Sequence, residues 1–243
     1  MTGFDAAAAA QVLLAARRSA RPADALTPPP GDTAAAYAVQ EAVLAGLGDP
    51  GGLWKMALLG GADRECAVLP GATLVQSGAR LAVPADARIE VETAILLAAD
   101  PGPDAAEHDI LRAIAAVHLA FELVAPRLAP QAELPPLARM ADSFSSAGVV
   151  LGSRLAKPPA DRLGIELELD GKPVATTEAA APLADALDFL RWLSGHARRQ
   201  GRDLKAGDVI ITGARIGPLP LNGARHARAT AAGACVELRL ADG

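Results

Sequence analysis

Glu90 and Glu92 stand two apart in the run Arg88-Ile-Glu-Val-Glu-Thr-Ala-Ile-Leu-Leu97. On a strand alternate residues share a face, with Cα atoms roughly 6.5 Å apart. Two carboxylates that close repel unless a proton or a cation lies between them. A hard divalent cation such as Mg²⁺, which prefers oxygen ligands, is the natural bridge. The alternative is a solvated outer face of an edge strand, and the pair taken alone favours it. Glu122 shifts that balance, because it lies in the apolar run Leu119-Ala-Phe-Glu-Leu-Val124. A carboxylate there needs a partner, since an unpaired buried charge is costly. Arg127 is one candidate and gives a structural ion pair; a cation shared with Glu90 and Glu92 is the other. Three carboxylates would leave about three positions of an octahedral shell open. A bidentate 2-oxo or 2-enol acid would fill two of them and water the third. Lys55, between Leu53-Trp54 and Met56-Ala-Leu-Leu59, either aims its amine into a site or snorkels to solvent.

Other patterns carry less. His118 and Glu122 are four apart and would share one face of a helix. The four histidines show no metal spacing among themselves. Gly46-Leu-Gly-Asp-Pro-Gly51 matches a dinucleotide-binding spacing, but a helix precedes it and Pro50 interrupts it. It reads as a glycine-rich helix end. Arg17-Arg18 and Arg198-Arg199 read as solvated helix faces.

The elements that must position these groups follow from periodicity and punctuation. Residues 5–19 predict an Ala-rich helix, and Pro28-Pro-Pro-Gly31 breaks the chain. Asp32 caps a second helix that ends at Gly46 or Gly48. Strands are expected at 74–75, 81–83, 89–97 and 149–151. Residues 107–119 predict a helix, with 121–124 a strand or that helix's last turn. Ile165–Leu169 alternates into an Asp170-Gly171 hairpin turn. A helix is expected over 182–200, a strand after Gly207-Asp208, and a last hairpin around Gly233. Strands outnumber helices without βαβ rhythm. The class is α+β, mainly antiparallel or mixed, with a helical N-terminal segment over 1–70 and a strand-rich domain over 71–243, the two also readable as one continuous domain.

The 243 residues, 51% hydrophobic and 21% charged, suffice for a buried core. Aromatic residues are 3% and the net charge is −5, which argues against stacking platforms and basic faces for nucleic acid. Two distant cysteines, no bilayer-length apolar run and no basic leader lead us to expect a cytoplasmic protein handling small molecules, with no membrane partner.

Tyr37-Ala-Val-Gln40, Lys55, Ile89-Glu90-Val-Glu92, Phe121-Glu122 with Arg127, Ala141-Asp142-Ser143 and Gly207-Asp208-Val-Ile-Ile-Thr212-Gly213 occur in that order. Together they resemble the 2-keto-4-pentenoate hydratase branch of the fumarylacetoacetate hydrolase superfamily, which also contains 4-oxalocrotonate decarboxylases. The resemblance runs from about Tyr37 to the C-terminus. It implies a mixed β-roll behind the helical segment, and a Mg²⁺ or Mn²⁺ site of Glu90, Glu92 and Glu122 with Lys55 beside it. It also implies a homo-oligomer. Asp142, Ser143, Ser145, Thr212 and Arg127 would bind substrate. The implied activity is hydration of a 2-hydroxy-2,4-dienoate to a 4-hydroxy-2-oxo acid. Alternatives are decarboxylation of a 2-oxo acid, acylpyruvate-type C–C hydrolysis, or a non-catalytic partner subunit or small-acid binder. The family's loop after the lysine is longer and carries an acidic residue tied to proton transfer. Here Gly60-Gly-Ala-Asp-Arg-Glu65 offers Asp63 or Glu65. Ser143 stands where asparagine is common, and Arg215-Ile216 lie in a loop that often differs.

Overall fold

The computed structural model describes residues 4–59, 63–129, 134–157, 162–180 and 183–241. Two helices lead. In α1 (Ala6–Ser19) the Asp5 carboxylate accepts from the backbone N–H groups of Ala7 and Ala8. In α2 (Thr33–Leu47) Asp32 accepts from Ala35, and Gly48 closes the helix at φ 64°. Both caps satisfy donors that a helix start leaves open.

Among the described residues twelve strands and three further α-helices follow: β1 (Leu53–Leu59), β2 (Asp63–Leu69), β3 (Leu74–Gln76), β4 (Arg80–Ala82), β5 (Arg88–Leu97), α3 (Glu107–Ala113), β6 (Ile114–Val124), α4 (Pro136–Ala141), β7 (Ser146–Arg154), β8 (Arg162–Leu169), β9 (Lys172–Ala180), α5 (Leu183–Arg199), β10 (Val209–Pro220), β11 (His226–Ala231) and β12 (Ala234–Ala241). A seven-stranded sheet runs β2-β1-β10-β5-β6-β7-β3, and a five-stranded sheet runs β4-β12-β11-β8-β9. The pairs β1/β10, β3/β7 and β4/β12 are parallel and the others antiparallel. The class is α+β with mixed sheets. Among the described residues, no helix is long and apolar enough to cross a membrane.

Two expectations need correction. The helix expected over 107–119 stops at Ala113, and Ile114–Val124 is a strand paired along β5. Val117, Leu119, Phe121 and Leu123 bury one face at a period of two, which alanines at 113, 115 and 116 obscured in the sequence. Residues 53–69, grouped by sequence with the helical segment, form β1 and β2 of the larger sheet.

Both faces of the larger sheet are covered. Ile89, Val91, Phe121, Val150 and Ile210 pack with α1, α2 and the second sheet in one large core. Leu53, Ala67, Leu69, Ala94, Ala120, Val149 and Ile211 form a smaller core on the opposite face. Side chains of directly paired residues share a face, so the register places Lys55, Glu90, Glu92 and Glu122 on this second side. β5 lies mid-sheet, which removes the solvated edge strand as a reading of Glu90 and Glu92.

At Gly152 the larger sheet packs closely on β12 of the second. A Cβ there would lie 2.6 Å from the Leu119 carbonyl oxygen, 2.6 Å from Val236 Cβ and 2.7 Å from the Cys235 carbonyl oxygen. Backbone atoms cannot yield as a side-chain tip can. Gly152→Ala is expected to cost about 2–3 kcal/mol, read from the urea midpoint at unchanged m-value; a midpoint equal to wild type would refute the packing argument.

Candidate metal centre

Glu90 and Glu122 are direct cross-strand partners on β5 and β6, and Glu92 is two residues along β5. Each offers a carboxylate oxygen, and these oxygens lie within 4.8 Å of one another. Glu92 and Glu122 are fully buried. Lys55 Nζ donates to both Glu122 oxygens at 2.7 Å. In the register Lys55 is level with Ala94 and separated from β6 by β10 and β5. On a flat sheet that would be about 14 Å across and about 13 Å along. The contact exists because the sheet coils around this face.

Several bonds hold that arrangement. Asp208 accepts from Trp54 Nε1 at 2.9 Å and from the Lys205 backbone at 2.9 Å, fixing β1 beside β10. Gln40 accepts from the Val68 backbone at 3.2 Å and donates to the Met140 carbonyl at 2.8 Å, tying α2 to β2 and α4. β10 bulges between Ile211 and Ala214. There Gly213, at φ 95°, turns its N–H onto Glu92 Oε2 at 2.6 Å. Only glycine takes that conformation without strain.

The electrostatics favour a cation. Burial and the Glu122 charge raise the Glu90 carboxyl to about 7 and hold Glu92 well above the carboxylate range. Glu122 stays low because Lys55 outweighs its burial. Burial alone would lower Lys55, but Glu122, Glu92 and Glu90 raise it, so it remains an ammonium. Three carboxylates face one lysine, and buried Glu92 Oε1 has no hydrogen-bond partner among the described residues. Oxygen donors, net negative charge and an open buried oxygen fit a hard divalent ion.

The other expected site residues are placed differently. Glu122 pairs with Lys55, not Arg127. Arg127 donates from Nε to Asp142 Oδ1 at 2.6 Å, from Nη1 to the Ala125 and Ser146 carbonyls, and from Nη2 to the Asp142 carbonyl. Asp142 Oδ2 accepts the Arg127 backbone N–H. This clamp holds Ser143, Phe144 and Ser145, three successive left-handed residues at φ 49°, 51° and 66°, a conformation that costs roughly 1–2 kcal/mol per residue. Arg127 borders a separate cavity of about 380 Å³ beneath α1. The Thr212 hydroxyl meets the Thr93 hydroxyl at 2.7 Å and donates to the Thr93 carbonyl. His118 lies on β6, its Nδ1 2.9 Å from the Gly152 carbonyl oxygen and four residues from Glu122.

Of the loop after Lys55, residues 60–62 lie outside the described residues. Asp63 is exposed. Glu65 is buried and accepts from the Tyr37 hydroxyl at 2.5 Å, which also meets His196 Nε2 at 2.9 Å. The Gly213–Glu92 bond and the Tyr37–Glu65–His196 cluster were not foreseen. A glycine directly after a threonine within the strand was the one sequence signal for the first.

Residues 61–242 match the fumarylacetoacetate hydrolase C-terminal domain family. The chain belongs to that family. It is 32% identical over 136 residues to a 2-keto-4-pentenoate hydratase of Paraburkholderia xenovorans, a match covering 54% of the chain and 50% of that protein. It is 31% identical over 172 residues to a 4-oxalocrotonate decarboxylase of a Pseudomonas species, covering 69% of the chain and 66% of that protein. The chain thus spans about half the length of the hydratase. The structure of 4-oxalocrotonate decarboxylase from Pseudomonas putida G7, complexed with magnesium and adipate, superposes with TM-score 0.81 at 22% identity over 97% of both chains.

Two predictions follow from the geometry. Glu90 and Glu92 hold protons in the metal-free fold at a pH where the unfolded chain has lost them. The native state then binds more protons than the unfolded state, so stability falls as pH rises from about 4.5 to about 7. Chelator-treated protein should have a lower Tm at pH 7.5 than at pH 5.5, and millimolar Mg²⁺ should remove the difference; a flat Tm in chelator would contradict the carboxylate geometry. Separately, Arg127→Met leaves the buried Asp142 carboxylate without its guanidinium partner. It should cost about 3–5 kcal/mol, measured by urea denaturation.

Proposed function

We propose that the protein is a divalent-metal-dependent hydratase, using Mg²⁺ or Mn²⁺, that adds water to a 2-hydroxy-2,4-dienoate to give a 4-hydroxy-2-oxo acid. The observation that carries this is the convergence of Glu90, Glu92 and Glu122 on one buried point with the Lys55 ammonium against it. The kinship with 2-keto-4-pentenoate hydratases supports the substrate class. The family resemblance supports a homo-oligomeric assembly.

The three glutamates would hold the cation, which when bound supplies Lewis-acid charge at the substrate's carboxylate and C2 oxygen. Lys55 is charged at neutral pH, so it acts as a donor rather than a base. Its N–H groups stabilise negative charge on the C2 oxygen as the dienol becomes a 2-oxo-3-enoate. The ketone withdraws electrons through the alkene and makes C4 electrophilic. Water adds there, its oxygen bonding to C4 and a proton going to C3. Gly213 holds Glu92 from the backbone, which spares a side chain for that task. Arg127 and Asp142 hold the turn at Ser143 and Ser145 that leads into β7, from which these residues would meet substrate, and Thr212 fixes the turn that carries Gly213.

A second reading is decarboxylation of a 2-oxo acid, whose product is the same enolate. It is favoured by the superposition with a 4-oxalocrotonate decarboxylase over nearly the whole of both chains.

Incubation of 2-hydroxypenta-2,4-dienoate with protein and Mg²⁺, followed by NMR, should yield 4-hydroxy-2-oxopentanoate, and chelator should stop it. Lys55→Met and Glu92→Gln should each lower kcat by about 10²–10⁴-fold. Turnover that survives chelator or Glu92→Gln would sink the proposal. Release of CO₂ from 4-oxalocrotonate without hydration of the pentadienoate would favour the second reading.

A further inference from the structure

Arg17 and Arg18 stand in the last turn of α1. In sequence the pair reads as a solvated helix face, and Arg18 is exposed. Arg17 instead is half-buried and lines the cavity of about 380 Å³ beneath α1, which Arg127 also lines. The two guanidinium groups differ in what they hold. Arg127 spends Nε, both Nη1 hydrogens and one Nη2 hydrogen on Asp142, Ala125 and Ser146. Asp142 has both carboxylate oxygens on Arg127. Among the described residues, no hydrogen bond or ion pair reaches the Arg17 side chain. Burial and the Arg127 charge pull its pKa down to about 10, and Asp142 offsets only part of that. Arg17 is therefore a cation at neutral pH with its fork of donors uncommitted.

The rest of the lining sets the chemistry of a ligand. Ala16, Val75, Leu81, Val83 and Leu123 give apolar walls. The Thr73 hydroxyl, also in the wall, is spent on the Pro70 carbonyl at 2.7 Å. Asp86 and Arg21 line the cavity too, but both are exposed, where water and salt screen them. A phosphate needs several donors. One uncommitted guanidinium among hydrocarbon suits a carboxylate carried on an apolar body, and the volume is that of a small-molecule site. Leu123 packs in the large core, on the face of β6 opposite Glu122, so the cavity is not part of the metal centre.

We infer that this cavity is a second, metal-independent binding site for a small hydrophobic monocarboxylate, whose acid group pairs with Arg17 while its apolar body fills the space beneath α1. The bound anion supplies the partner that Arg17 lacks within the chain. Binding there is independent of the reaction proposed at the glutamates.

Two probes of one shape test this: 4-fluorobenzoate, an anion at neutral pH, and 4-fluorobenzyl alcohol, which is uncharged. Their affinities would be measured by fluorine NMR on Mg²⁺-loaded and on chelator-treated protein. In both states wild type should prefer the acid by roughly tenfold. Arg17→Leu should bring that ratio to about one, and Arg17→Lys, which keeps charge but loses the fork, should fall between. Arg18→Leu removes the same charge from the exposed neighbour and should leave the ratio at its wild-type value. Failure of the acid to saturate the protein below about 10 mM, or equal affinities in wild type, would overturn the inference. So would a preference that survives in folded Arg17→Leu. Loss of acid binding on chelation would assign the probe to the three glutamates, overturning the second site while leaving the metal centre intact. The wild-type ratio in chelator decides the matter even where a variant fails to fold.

Discussion

Three carboxylates whose oxygens lie within 4.8 Å of one another, two of them on fully buried residues, set the constraint that the rest of the molecule answers. At an effective dielectric of about 20, each charged pair at that separation repels by roughly 3–4 kcal/mol. Lys55 neutralises one carboxylate and reaches it only because the sheet coils. Without further charge the remaining two hold protons, which is the physical content of their raised pKa values. Folding therefore works against the site, and a divalent cation held there would offset that cost. The stability of the large core on the other face is what allows such a cluster to persist.

Most of the polar bonds near the site position the backbone instead of facing a ligand. Asp208 aligns β1 with β10 through Trp54. Gln40 and Tyr37 join α2 to β2. Arg127 and Asp142 over-determine a left-handed turn of non-glycine residues, which enters β7 opposite the end of β6. Such strain persists only where surrounding contacts fix it. The family-like motifs are thus largely a scaffold that fixes the sheet's coil to within the reach of one lysine.

That division explains what could be read from residue order. Glu90 and Glu92 share a face because a strand has period two, and the capping by Asp32 and the turns at Asp170-Gly171 and Gly233 follow from local chemistry. The strand at Ile114–Val124 was hidden because its alanines fit either period and only pairing with β5 decides. β1 and β2 were missed for the same reason: their partners are β10 and each other, and β10 is some 150 residues on in sequence. Arg127 beside Glu122 in sequence suggested an ion pair. Leaving the strand at Val124 turns Arg127 away to Asp142, and nothing in the local spacing announces that.

The Thr212–Gly213 peptide links Glu92 to Arg215. Its N–H holds one glutamate of the metal centre and its carbonyl holds Arg215. Both groups are thereby referenced to one rigid, planar unit rather than to independent flexible side chains. The position of Glu92 relative to Arg215 is then set by backbone geometry. Thr93, bonded through its hydroxyl to Thr212 and carried on the same strand as Glu90 and Glu92, ties that peptide to the ligand-bearing strand.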